Sequence, residues 1–99
     1  MKNKKVLATF RINKKRFIDF KMRVIENGSN NMETIDIILK KFLEKPYIVE
    51  KYVPSKTDVI VGLYVDKDMK RRLKKWCIDN NVTQQDVFPT YIEKYLNKN

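Results

Sequence analysis

Thr9 and Arg11 stand in a stretch, Leu7 to Ile12, whose intervening positions Ala8, Phe10 and Ile12 are apolar. In a strand that alternation sends Leu7, Thr9 and Arg11 to the face opposite the core. An arginine fork can bond guanine bidentately, and a threonine offers a hydroxyl or a methyl to a base edge. A second alternating stretch, Ile60 to Val65, carries Ile60, Gly62 and Tyr64 opposite Val61, Leu63 and Val65. Tyr64 can donate a hydrogen bond or touch a thymine methyl, and Gly62 permits close approach. The competing reading of this second stretch is a strand kept for packing alone. Lys5 precedes Leu7, and Lys14, Lys15 and Arg16 follow directly on the strand. In a helical first turn such cations cost about 0.3–1 kcal/mol each against the dipole. Nearby phosphates would reverse that sign. Lys67, Lys70, Arg71, Arg72, Lys74 and Lys75 are spread more evenly and read as solvated surface.

The chemistry that is missing narrows the field as much. The 99 residues contain no His, one Cys and two Gly. The usual general base, a Cys/His metal site, an internal disulfide and a Gly-rich phosphate loop are thereby excluded. No carboxylate pair stands at catalytic spacing, so the expectation is a protein that is not an enzyme, with no cofactor and no metal. Lys and Arg total 22 against 12 Asp and Glu, a formal charge of +10, which points to a polyanionic partner. Residues 1–53 hold 13 basic against 6 acidic residues, and residues 54–99 hold 9 against 6. The first half is the stronger electrostatic candidate. No apolar run approaches the ~18 residues of a membrane span or the pattern of a signal peptide. A cytoplasmic protein without a membrane partner is expected.

The elements that must position these residues occur twice. Asn13 caps a first helix with Phe17, Phe20 and Val24 on its stripe and Ile18 and Ile25 widening it; Asn27-Gly28 ends it. Asn30 opens a second helix, with Glu33 three residues on as a capping box and Ile35, Ile38, Leu39, Phe42 and Leu43 as its apolar stripe. A shift of 53 residues returns the same script. Asn13 becomes Asp66, Phe20 and Val24 become Leu73 and Cys77, and Asn30 becomes Thr83. The final stripe is Phe88, Tyr91, Ile92, Tyr95 and Leu96, with Pro89 expected to kink or delay that helix. Cys77 and Trp76 read as packing residues. One half is too small to stand alone and leaves its strand unpaired. The connector can reach, so strands 7–12 and 60–65 are expected to pair antiparallel within one chain, under four helices.

Strand, helix, helix with these lengths and caps resembles the ribbon-helix-helix family of DNA-binding proteins, over about Leu7 to Leu43 and again Ile60 to Leu96. The resemblance implies a mainly α fold with a short antiparallel two-stranded β-ribbon. Two tandem motifs, 1–45 and 57–99 around a linker 46–56, would form one compact unit. It implies a ribbon lying in the major groove of double-stranded DNA, with Leu7, Thr9, Arg11, Gly62 and Tyr64 facing bases. Lys5, Lys14 and Lys15 would meet phosphates, as would the second-helix N-termini at Asn30, Asn31, Thr83 and Gln84. Tandem members occur among conjugation accessory proteins and regulators of archaeal viruses. The expected role is transcription regulation, in the host cytoplasm if the source is a virus. The alternatives are a relaxosome or plasmid partition accessory protein, or a protein-interaction module. Association into a homo-oligomer or cooperative assembly on DNA also stays open. Antitoxins of this family extend a binding tail past the fold; only three residues follow Leu96, which disfavours that role.

Overall fold

The computed structural model describes residues 4–97. The order is β1 (Lys5–Asn13), α1 (Lys14–Glu26), α2 (Asn31–Glu44), β2 (Asp58–Asp66), α3 (Lys67–Asp79) and α4 (Gln84–Leu96). β1 and β2 pair antiparallel as a two-stranded sheet. The fold is mainly α, with two β-α-α units sharing one ribbon. Both strands run longer than the alternating stretches alone suggest.

Each helix starts where a short polar side chain can take an orphan N–H. Asn13 accepts from Arg16, Asn30 from Glu33, Asp66 from Met69 and Thr83 from Asp86. The reciprocal capping box expected at Asn30 and Glu33 is only half formed there. The Glu33 carboxylate accepts a long 3.4 Å bond from the Ser29 hydroxyl instead of returning to the Asn30 backbone. The complete box stands at α4, where the Asp86 carboxylate accepts the Thr83 N–H at 3.1 Å.

The duplication extends to how the first helix of each unit ends. Gly28 has φ +72° and its counterpart 53 residues on, Asn81, has φ +55°. Ser29 N–H bonds the Val24 carbonyl at 3.1 Å, and Val82 N–H bonds Cys77 at 3.1 Å. Both are left-handed helix terminations, which Gly adopts freely and Asn more readily than most side chains. Pro89 neither delays nor ends α4, which runs from Gln84 through it. A proline at this sixth position removes one intrahelical bond, and the buried ring packs in the interior.

Ala8, Phe10 and Ile12 of β1 and Leu63 and Val65 of β2 face one core with residues of all four helices. Phe10 stacks on Phe88 of α4, ring centroids 5.0 Å apart, and Phe20 of α1 meets Tyr95 of α4 edge-on at 5.4 Å. Phe42 of α2 meets Trp76 of α3 edge-on at 4.6 Å. Each unit therefore packs its helices against the other unit's elements. Ile18 and Ile25 depart from their expected place on the stripe. They are 43% and 69% exposed, because Phe17, Phe20 and Val24 alone fill the inward arc of α1.

Candidate nucleic-acid interface

Strand alternation puts Leu7, Thr9 and Arg11 of β1 and Ile60, Gly62 and Tyr64 of β2 on the outer face of the ribbon, all exposed. The register sets Leu7 across from Tyr64, Thr9 across from Gly62 and Arg11 across from Ile60. Thr9 pairs with the residue 53 positions on, so the pseudo-twofold axis relating the two units passes between Thr9 and Gly62. About that axis Arg11 corresponds to Tyr64 and Leu7 to Ile60. The face is two-fold in backbone and asymmetric in chemistry. A Cβ on Gly62 would come within 3.0 Å of Leu7 Cδ1, so the glycine makes room for the Leu7 side chain to lie across the ribbon.

The ribbon's backbone polarity follows from its ends. Lys67 N–H bonds the Lys4 carbonyl at 2.8 Å, and Lys14 N–H bonds the Thr57 carbonyl at 3.0 Å. Even-numbered residues of β1 thus turn their N–H and C=O toward β2, and odd-numbered ones turn theirs to the open edge. Two helices occupy those edges. Gln85, in the first turn of α4, accepts from Arg11 N–H through Oε1 at 2.7 Å and donates from Nε2 to the Arg11 carbonyl at 2.7 Å. Asp36 of α2 accepts from Asp66 N–H at 3.1 Å on the edge of β2 and pairs with the Lys5 ammonium.

The residues expected to meet phosphates divide into three groups. Lys14 and Lys15 are exposed at the start of α1, immediately beyond Arg11 and Ile12. Neither is in an ion pair among the described residues. Lys5 is already paired with Asp36, which offsets part of its charge. Asn30 and Thr83 are the N-caps of α2 and α4, with Asn31 and Gln84 half-buried as the first helical residues. The Gln85 and Asp36 bonds bring those two helix starts to opposite edges of the ribbon. Arg16 stands apart from its two lysine neighbours. Its Nε and Nη2 bond Glu93 at 2.7 Å each, and Nη1 bonds Asp19 at 3.0 Å. The Glu93 hydrogen bond, opposed in part by burial, holds the guanidinium pKa above its usual value. Arg16 ties α1 to α4.

Gln85 and Asp36 carry no mark in the sequence. Their contacts span 74 and 30 residues, beyond any local pattern. The one hint is a difference between the repeats, since Met32 stands where Gln85's counterpart would be.

Against known proteins, the uncharacterized protein 56B of Sulfolobus islandicus rod-shaped virus 1 is 37% identical over 49 residues, half of this chain and 88% of that protein. The chain belongs to the family of that viral protein. Since those 49 residues are nearly all of it, this relative is about one repeat long, and the present chain is nearly twice its length. No protein-family model matches the chain, and no solved structure matches it. Among the described residues no helix is long and apolar enough to cross a membrane.

Proposed function

We propose that this member of the family is a tandem ribbon-helix-helix protein that binds double-stranded DNA with its ribbon in the major groove, acting as a transcription regulator. The observation that carries the reading is the outer ribbon face. Five side chains and Gly62 stand clear of the core on a two-stranded ribbon, the width a major groove admits. Unpaired Lys14 and Lys15 flank its first strand. A solvent-facing ribbon row holding Leu7, Ile60 and Tyr64 at 49%, 73% and 52% exposure is costly in water and favourable against thymine methyls. The formal charge of +10 supplies sequence-independent attraction. A relative of single-repeat length also suits the reading, because one β-α-α unit needs a second strand to complete a ribbon.

Duplexes selected from a random pool should bind with an affinity that falls steeply as salt rises, through counterion release. Arg11→Ala should cost about 1–3 kcal/mol at the selected site and flatten the preference at one base pair. Lys14→Ala and Lys15→Ala should weaken all sequences alike and reduce the salt slope. No binding at low salt, or salt-independent binding, sinks the reading. Site preference untouched by Arg11→Ala moves the reading surface off the ribbon.

A further inference from the structure

Both ends of the ribbon are tied to a helix, but only at Arg11 does the tie fall on an outward-facing residue, since Asp36 holds Asp66 at the other end. An odd-numbered residue of β1 leaves its N–H and C=O at an open edge, where water or a third strand would normally take them. The primary amide of Gln85 satisfies both groups of Arg11 at once, at 2.7 Å each, as a neighbouring strand would. Gln85 belongs to the first turn of α4, whose Val87 and Phe88 are buried and whose Phe88 ring stacks on Phe10, the residue before Arg11. The Arg11 backbone is thus fixed to the core from two directions. Tyr64, related to Arg11 by the pseudo-twofold axis, lacks this arrangement. Met32 occupies the place of Gln85, is 41% exposed, and has no amide to offer. Among the described residues no side chain bonds the Tyr64 backbone. A bidentate arginine contact to a base depends on the angle and reach of the guanidinium, which begin at the Cα the clamp holds. An apolar or single hydrogen-bond contact by Tyr64 tolerates more movement.

We infer that Gln85 is a positioning residue for sequence choice: it fixes the Arg11 backbone for stringent base reading, whereas at the other end the tie falls on Asp66, two residues beyond Tyr64, and leaves the Tyr64 backbone unclamped. The inference rests on the proposed DNA reading and adds to it an origin for uneven specificity. Base pairs under Arg11 should be discriminated sharply and those under Tyr64 loosely, giving a non-palindromic site.

The test uses the full chain and a duplex selected by the unaltered protein, with each base pair then varied singly. Gln85→Met transplants the residue found in the other repeat and should lower discrimination at the Arg11 base pair by about tenfold. The salt slope and discrimination at the opposite end should hold. Gln85→Glu retains an acceptor for the Arg11 N–H and should recover part of the preference. Ile92→Val, a buried core change seven residues beyond Gln85 in the same helix, controls for loss of stability. It should lower Tm without altering base preference. Unchanged discrimination in Gln85→Met, with binding intact, overturns the role of Gln85 and leaves the ribbon as the reading surface. An equal loss of preference in Ile92→Val also overturns it, because general loosening of α4 would then suffice. Absence of salt-sensitive binding by the unaltered protein removes the DNA reading and this role together.

Discussion

Tyr91 is fully buried and its hydroxyl meets no hydrogen-bond partner among the described residues. Burial raises its pKa, so the group stays neutral, yet a donor and acceptor left dry still costs about 1–3 kcal/mol. Its ring is needed, because it packs against Phe42 at 4.9 Å and Phe88 at 5.7 Å. Tyr91→Phe keeps the ring and removes the unpartnered oxygen. It should raise the unfolding midpoint in urea, with a gain of about 1 kcal/mol; a lower midpoint would mean that the hydroxyl is bonded in the folded protein. Cys77 behaves as its place on the apolar stripe predicts. Burial pushes its thiol up to about 11, so it remains a protonated core residue at neutral pH.

At α4 a single carboxylate joins helix, cap and connector. Asp86 accepts the Thr83 N–H and hydroxyl at its own N-terminus and the Tyr52 N–H of the connector at 2.9 Å. Burial alone would raise its pKa. The N–H bonds from Tyr52 and Thr83, the Thr83 hydroxyl and the charge of Lys51 outweigh that and hold it below the ordinary value. A folded-state pKa below the unfolded one stabilises the fold above the unfolded value, about 3.9, and this stabilisation is lost as pH falls through the folded value. Tm should therefore drop on acidification below about pH 4, and Asp86→Asn should flatten that limb while lowering Tm at neutral pH. An unchanged acid limb in Asp86→Asn would assign the loss to other carboxylates. Because α4 also carries Gln85, loosening this cap should loosen the ribbon edge that it braces.

The two units interlock, each using its second helix to cover an edge of the other unit's strand. Gln85 reaches from the second unit to Arg11, and Asp36 from the first to Asp66. The chain thereby closes its ribbon internally. Thr9→Cys combined with Gly62→Cys places two thiols at a directly opposed, non-hydrogen-bonded pair, where cross-strand Cα atoms come closest. Leu7 must swing aside for the new Cβ, which a flexible side-chain end allows. Oxidation at low protein concentration should give a crosslinked monomer on a non-reducing gel. Dominant crosslinked dimers, or efficient coupling of Thr9→Cys alone, would instead pair like strands from two chains.

Alternation, caps and the 53-residue shift were enough to read the element order, all four N-caps and the outward set from Leu7 to Tyr64. Those features depend on neighbours within a helical turn or on the side-chain period of a strand, so local sequence encodes them. Spacing could not show that Ile18 and Ile25 face solvent, since a helix stripe widens or narrows with the partner it meets. Nor could it separate Arg16, forked onto Glu93, from Lys14 and Lys15, which share its turn and its charge. Gln85 and Asp36 lay further still from view. Their partners are brought near only when one unit folds across the other, and no periodicity in a chain records a contact that two interlocked halves create.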